Sequence, residues 1–432
     1  MNLAIKGGTP VRTELFNPQP SINENEIRAV TEFINQENVL LSGYRGNASK
    51  AFWGGKEVNK FEDDFSTFIN HAGKSAAVNS CTSALQIACG AIGLKPGDEV
   101  IVTGWSMSCS ATAPMLYGAI PVFADIEKEY FCLDPGSIKS KITDKTRAII
   151  VVDLFGLPFD APAIRQIAKE HGLFIIEDAA QALGAQYANV KTGLLGDIGC
   201  FSFTQGKHLT SGEGGIITSN DMDLLVNCAM FRNHIDAVTN DIDNITDMNY
   251  RFKDLPMAGF NMRMTELQAV ILQEQLKKAD HYIKQRQYNA QYIYEHVQND
   301  FIIPAKVRPD CTHSYYCQAF YYDQSKAKGV HRDKFVDALK SELVGDKQRI
   351  DRGVPISKGY ITPLYKFPVF QKRNHWAIKD IDYSTVQLPV LEHLQKDDLF
   401  ISLLHGLELS EKDLNDICEA FNKVSENIEE LI

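Results

Sequence analysis

The sequence predicts an α/β protein: a large domain built on a mostly parallel sheet with helices on both faces, followed by a smaller α+β domain. Three observations carry this. Between residues 75 and 221, short apolar strands alternate with helical stretches, the pattern of parallel strands joined by helical crossovers. The runs Ile149-Ile150-Val151-Val152 and Phe174-Ile175-Ile176-Glu177 are apolar almost throughout, as strands covered on both faces must be. Beyond residue 301 the rhythm gives way to short strands mixed with helices.

The elements follow in order. Residues 1–22 carry Gly, Pro and polar residues without a period and read as an N-terminal arm. A helix is expected over 25–35, and the glycine-rich stretch 41–58 reads as loop. Val58, Phe61, Phe65 and Phe68 recur at helical spacing, which predicts a helix over 57–70. A strand is expected at 75–78, then a helix over 82–90 whose start is marked by Ser80 or Thr82. Strands follow at 99–103, 120–124, 147–153 and 173–177, with helices at 111–117 and 161–171. A long helix is expected from 264 to 297, with apolar positions at Leu272, Leu276, Ala279, Ile283, Ala290, Ile293 and Val297. The tail reads as a strand over 315–322 and helices over 332–343 and 411–427. This divides the chain into an arm (1–22), a large domain (23–280) and a small domain (281–432). No internal repeat or low-complexity segment interrupts it.

Bulk properties narrow the function classes. At 432 residues, 44% hydrophobic and 23% charged, the chain can bury a large core. A net charge of −11 disfavours general binding to nucleic acid or anionic membrane. The nine cysteines contain no C-x-x-C pair, which argues against a zinc site or disulfide framework, so no metal is expected. No signal-like N-terminus and no span of about 18 apolar residues is read, and a cytoplasmic location is expected.

In open α/β sheets, ligands sit beyond the carboxyl ends of the strands. The strand at 173–177 is followed by Asp178, and 29 residues later stands Lys207, after the strand-like Cys200-Phe201-Ser202-Phe203 and before a glycine-rich turn. Pyridoxal phosphate needs an amine for its resting imine and an anion to keep its pyridine nitrogen protonated. It also needs donors for its phosphate, best supplied at a helix N-terminus. Lys207 can meet the first need and Asp178 the second. Ser80-Cys81-Thr82-Ser83, opening a helix, can meet the third with help from Ser202. Singly, each residue reads more readily as a cap, a turn or a solvated lysine; the three in this order and spacing are stronger together.

The segments EDAAQALGAQY, GDIGCFSF and SGEGGIITSND after Lys207 resemble the DegT/DnrJ/EryC1/StrS family of sugar aminotransferases. The likeness extends through GDEVIVTGWSMSCSATAPMLYGAIPVFADI, FRNHIDA and GFNMRMTELQAVILQEQL. The resemblance implies the PLP-transferase fold of type I, with pyridoxal 5′-phosphate as cofactor. It implies that Lys207 is the Schiff-base lysine and proton shuttle, that Asp178 pairs with the pyridinium, and that Gln181 meets the ring hydroxyl. Thr82, Ser83 and Ser202 would bind phosphate. Asn261 would reach the phosphate of a neighbouring subunit, so a homodimer with shared sites is implied. Many members stack an aromatic residue on the ring; here Met107 takes that position, with Trp105 two residues earlier, and Met107 reads equally as core or as ring contact. Arg232-Asn233-His234, Tyr360 and Tyr365 are weaker candidates for the substrate cleft, as are Tyr44 and Arg45 for a covering loop. Gly193, Gly196 and Gly199 read as turns rather than as a dinucleotide fingerprint. The implied reaction moves an amino group from glutamate or glutamine to a keto sugar, usually nucleotide-linked, for cell-surface glycan or secondary-metabolite biosynthesis. A cyclitol ketone is an alternative, suggested by Gly359-Tyr360 and Pro363-Leu364-Tyr365. A dehydratase of the same family, which carries His at the lysine position, and a non-catalytic regulatory homologue are others.

Overall fold

In the computed structural model, described over residues 2–19, 22–44, 52–234, 259–348 and 350–432, the alternating segment forms one seven-stranded sheet. Its strands are β1 (Ser75–Val78), β2 (Glu99–Thr103), β3 (Ile120–Ala124), β4 (Thr146–Val152), β5 (Phe174–Asp178), β8 (Ile198–Ser202) and β9 (Gly215–Thr218). Their order is β1-β9-β8-β5-β4-β2-β3. All neighbouring pairs are parallel except those made by β9, which runs against both β8 and β1. Two short strands, β6 (Gln186–Tyr187) and β7 (Val190–Lys191), form a small separate sheet with β11 (Cys311–Thr312).

The helices of the first half are α1 (Glu24–Ile34), α2 (Lys56–Phe68), α3 (Cys81–Ala91), α4 (Cys109–Thr112), α5 (Pro135–Lys141), α6 (Ala161–His171) and α7 (Met222–Arg232). Their starts are chemically marked. Asn23 and Glu26 form a capping box on α1, and Ser80, Asp134, Asp160 and Asp221 cap α3, α5, α6 and α7, each satisfying an otherwise orphaned N–H. α2 begins at Gly55, which has no side chain to cap with. The Glu266 carboxylate takes that role, accepting from Gly55, Glu57 and Val58 N–H at 3.0, 2.7 and 3.2 Å. Val58, Phe61 and Phe65 of α2 are fully buried, each contributing roughly 1.5–3 kcal/mol of burial free energy.

The expected helix over 264–297 is two helices, α8 (Glu266–Leu276) and α9 (Ala279–His296). No Gly or Pro marks the break. α8 buries Ala269 and Leu272 in the cluster that includes α2, and Lys278 at the joint pairs with buried Glu26. α9 carries Ile293 into a second core. That core lies under an antiparallel sheet, β10-β12-β14-β13, formed by Ile302–Pro304, Gln318–Tyr322, Leu399–Ser402 and Ile356–Lys358 respectively. The helices α10 (Arg332–Glu342) and α11 (Glu411–Glu426) pack on it.

Three other expectations need adjustment. The helix expected over 111–117 is one α-helical turn and a 3₁₀ turn, split at Pro114, which lacks an N–H. The strand expected from 315 starts at Gln318, because Tyr315 has φ +51. β9, α5 and α7 were not anticipated as elements. Gly193, Gly196 and Gly199 are turn and packing residues: the buried Glu177 carboxylate accepts from Gly193, Leu195 and Gly196 N–H. Among the described residues, no helix is long and apolar enough to cross a membrane. Nor does any group of three or more His, Cys, Asp or Glu there form a metal cluster.

Candidate active site

Parallel strands bring their carboxyl ends to one edge of the sheet, and the candidate residues gather there. Asp178 is the last residue of β5 and only 3% exposed. It accepts from the Ser110 hydroxyl at 2.8 Å and from Ala180 N–H at 3.2 Å, with the Cys81 thiol at 3.9 Å. Burial pushes its carboxyl above the ordinary range; the Ser110 hydroxyl and then the Lys207 ammonium draw it back. A buried carboxylate that burial disfavours is stabilised by a cation placed against it, which is what a protonated ring nitrogen offers.

Lys207 stands on the turn between β8 and β9. Phe203 and Gln205 N–H donate across it to Gly214 and Gly212 C=O at 2.9 and 3.0 Å. Gly206 and Gly212 adopt φ +96 and +85, left-handed conformations that glycine takes without cost. The Lys207 Nζ lies 4.2 Å from the ring centroid of Tyr316. The neighbouring His208 turns the other way: its Nε2 pairs with Ser314 C=O at 2.9 Å, and burial pushes its pKa well down. Lys207, rather than His208, is therefore the side chain whose charge reaches Asp178. A cavity of about 320 Å³ opens beside it, lined among others by Gln205, Tyr316, Arg286, Gln348 and Arg352.

The N-terminus of α3 lies next to the end of β8. Ser202 pairs with Gly215, and a Cβ on Gly215 would meet Ser80 C and Cys81 N at 2.6 and 2.8 Å. Only glycine allows this approach, which sets the Ser202 strand end against the first turn of the helix. N–H groups of a first turn point outward along the axis and favour anions. Thr82 is exposed there. Ser83 is engaged inward: its N–H donates to Ser80 Oγ at 3.1 Å and its hydroxyl to Asn79 Oδ1 at 2.6 Å. Ser83 thus braces the turn that presents Thr82.

A single residue in a left-handed conformation links the remaining wall. Phe155 has φ +61, unusual for a bulky residue. Its N–H donates to Gln181 Oε1 at 2.9 Å, and its C=O accepts from Tyr316 and Cys317 N–H at 2.8 and 3.1 Å. Gln181 in turn donates to the Tyr360 hydroxyl at 3.1 Å. Trp105 is fully buried, packs edge-on against Tyr360 and donates from Nε1 to Ile361 C=O, so it is a core residue. Met107 is 58% exposed, which rules out the core reading for it.

Other candidates fall elsewhere. The Tyr365 ring is buried against Phe123 and its hydroxyl donates to Glu392; it belongs to the packing beneath the site, correcting the cleft assignment. Arg232 is fully buried and pairs with Glu62 at 2.8 Å, and the Tyr44 ring covers it. His234 is exposed, with φ +52, its N–H donating to Phe260 C=O. Asn261 is exposed on a strip bridged to Asn233, and the neighbouring Met262 C=O accepts from Asn79 N–H. Arg45 lies outside the described residues. Sequence reasoning missed Ser110 and Tyr316, which lie 68 and 109 residues from the groups they serve, Asp178 and Lys207; no local pattern marks either.

An acid at the end of a central strand, a lysine on the next turn and an open helix start, on a doubly covered sheet with a smaller domain, define a pyridoxal-phosphate-dependent aminotransferase of fold type I. The chain belongs to the DegT/DnrJ/EryC1/StrS aminotransferase family, whose profile matches residues 45–421. It is 32% identical over 391 residues to the spore coat polysaccharide biosynthesis protein SpsC of Bacillus subtilis (88% of this chain, 93% of the relative). It is likewise 32% identical over 437 residues to the L-glutamine:2-deoxy-scyllo-inosose aminotransferase of Streptoalloteichus tenebrarius (98% and 97%). The crystal structure of the aminotransferase from Psychrobacter cryohalolentis superposes with a TM-score of 0.80 at 30% identity, covering 96% of this chain and 100% of that one.

Proposed function

We propose that this protein transfers an amino group from glutamine or glutamate to the ketone of a sugar, nucleotide-linked and destined for a glycan or secondary metabolite. The observation that carries the reading is the buried Asp178 carboxylate at the end of β5, held by Ser110, with Lys207 on the turn after the neighbouring β8 and the open start of α3 at the same edge. Pyridoxal phosphate, when bound, supplies the electron sink for the transfer. Asp178 would keep the ring nitrogen protonated, Gln181 would hold the ring hydroxyl, and Met107 would contact the ring. Thr82, the first-turn amides and Ser202 hold the phosphate, with Ser83 bracing them. Lys207 Nζ takes the proton from the donor's α-carbon and returns one at the acceptor carbon. Asn261 extends to the phosphate bound by a second copy, giving a homodimer with shared sites. Tyr360, fixed by Gln181, borders the substrate side.

A cyclitol ketone is the second reading, favoured by the full-length similarity to the scyllo-inosose aminotransferase, whose name also supports glutamine as donor. The inward turn of His208 speaks against dehydratase chemistry based on a histidine. The test is incubation of the cofactor-loaded protein with glutamine, following conversion of the cofactor absorbance. Keto sugars and cyclitol ketones are then offered, with mass detection of the amine. Ping-pong kinetics are expected; no conversion with either amino donor refutes the reading.

A further inference from the structure

Every peptide from Ser314 to Cys317 is tied down, and together they aim one ring at Lys207. Ser314 N–H donates to Gly156 C=O at 2.9 Å, and Ser314 C=O pairs with His208 Nε2 at 2.9 Å. Tyr315 holds a left-handed φ of +51, and its carbonyl meets His405 Nε2 at 2.7 Å and Arg286 Nη1 at 3.2 Å. Tyr316 and Cys317 both donate to the carbonyl of Phe155, itself at φ +61. Gly156 beside it has φ +105, and a Cβ there would lie 2.9 Å from both Tyr315 N and Tyr316 N. Two bulky residues in a sparsely populated conformation and one obligatory glycine persist only where the surroundings over-determine them. What this effort fixes is the half-buried Tyr316 ring, its centroid 4.2 Å from Lys207 Nζ.

An ammonium over an aromatic face is attracted by the ring's quadrupole, more strongly when both are partly out of water. A lysine that leaves a reacting carbon and must return to it has a long, flexible stem. A fixed site for its charge shortens that search and keeps the group in reach. We propose that Tyr316 is the resting site of the Lys207 ammonium whenever that side chain is not bonded to the cofactor. Tyr316 is thus a positioning residue that acts through its ring face rather than its hydroxyl. The inference rests on Lys207 being the reacting amine.

The test reads Lys207 directly in the full-length protein freed of cofactor. Its acetylation by acetic anhydride is measured by mass spectrometry against the exposed Lys412 in the same sample. Tyr316→Leu should accelerate Lys207 labelling about 5- to 30-fold, the range a lost cation–π contact predicts, and Tyr316→Phe should stay within about twofold of the parent. Replacing Tyr316 with phenylalanine bearing one, two and three ring fluorines keeps the shape while weakening the ring's negative face, so labelling should rise stepwise. This series also serves if Tyr316→Leu does not fold. In the loaded enzyme, Tyr316→Leu should lower kcat with both substrates while leaving the donor KM in place. A flat fluorine series, or Tyr316→Phe labelling as fast as Tyr316→Leu, overturns the proposal. Because labelling is read without cofactor, such a result is distinct from failure of the site assignment, which would show as Lys207 never bonding the cofactor in the parent protein.

Discussion

Asp178→Asn isolates the charge on which the proposed chemistry depends. The substitution keeps the shape of a side chain only 3% exposed. The Asn carbonyl can accept from Ala180 N–H, and the Ser110 hydroxyl, already 2.9 Å from Ser106 Oγ, can turn to accept from the new amide. The folded state therefore loses little, about 1 kcal/mol or less. What disappears is the anion that the proposed function sets opposite the ring nitrogen. Removing one member of a buried ion pair costs about 3–5 kcal/mol, which at 1.4 kcal/mol per tenfold is a loss of roughly 140- to 4,000-fold. The assay is a single-turnover reaction with glutamine, followed by the cofactor's absorbance, with thermal unfolding of the same preparation as control. A variant that turns over within about fivefold of the parent at unchanged stability refutes the reasoning, because at 1.4 kcal/mol per tenfold that leaves only about 1 kcal/mol for the carboxylate.

Lys207→Ala should abolish both the absorbance of lysine-bound cofactor and amino transfer; retention of either, seen by spectroscopy and mass detection, removes Lys207 from its role. Gly215→Ala forces a Cβ to within 2.6 Å of the Ser80 backbone, so cofactor affinity, measured by equilibrium titration, should fall by about tenfold or more, in line with overpacking costs of about 1–3 kcal/mol. Arg232→Met leaves Glu62 buried without its cation and should cost about 3 kcal/mol or more in urea unfolding at pH 8. Burial already pushes the Glu62 carboxyl up to about 7, so the loss should shrink near pH 5, where Glu62 is neutral. Burial also holds His208 and His405 uncharged, with His405 pushed down to about 3. The unfolded chain takes up protons below its ordinary histidine value while the folded chain refuses them. The stability these residues contribute is therefore complete above about pH 6.5 and is lost as pH falls, at about 1.4 kcal/mol per unit for each. Unfolding curves at pH 7.5, 6 and 5 check this, and a double replacement by Gln should flatten the slope.

The alternating sheet, the strand leading into Asp178 and the lysine after β8 were legible from the residues alone, because apolar runs and turn residues are local signals. The start of α3 was legible for the same reason: a serine before a helical run satisfies a helix end from its own side chain. The long helix misled because no local breaker marks its end at Lys277 and Lys278, where Lys278 instead makes a tertiary pair with buried Glu26. Tertiary structure alone decided that Ser110 steadies Asp178, that Tyr365 is packing and that His208 faces away. It alone made one residue, Phe155, tie Gln181 to Tyr316. Each of these joins groups far apart in the chain, and their partners are chosen by which strand ends and loops the folded sheet sets side by side, something no local pattern encodes.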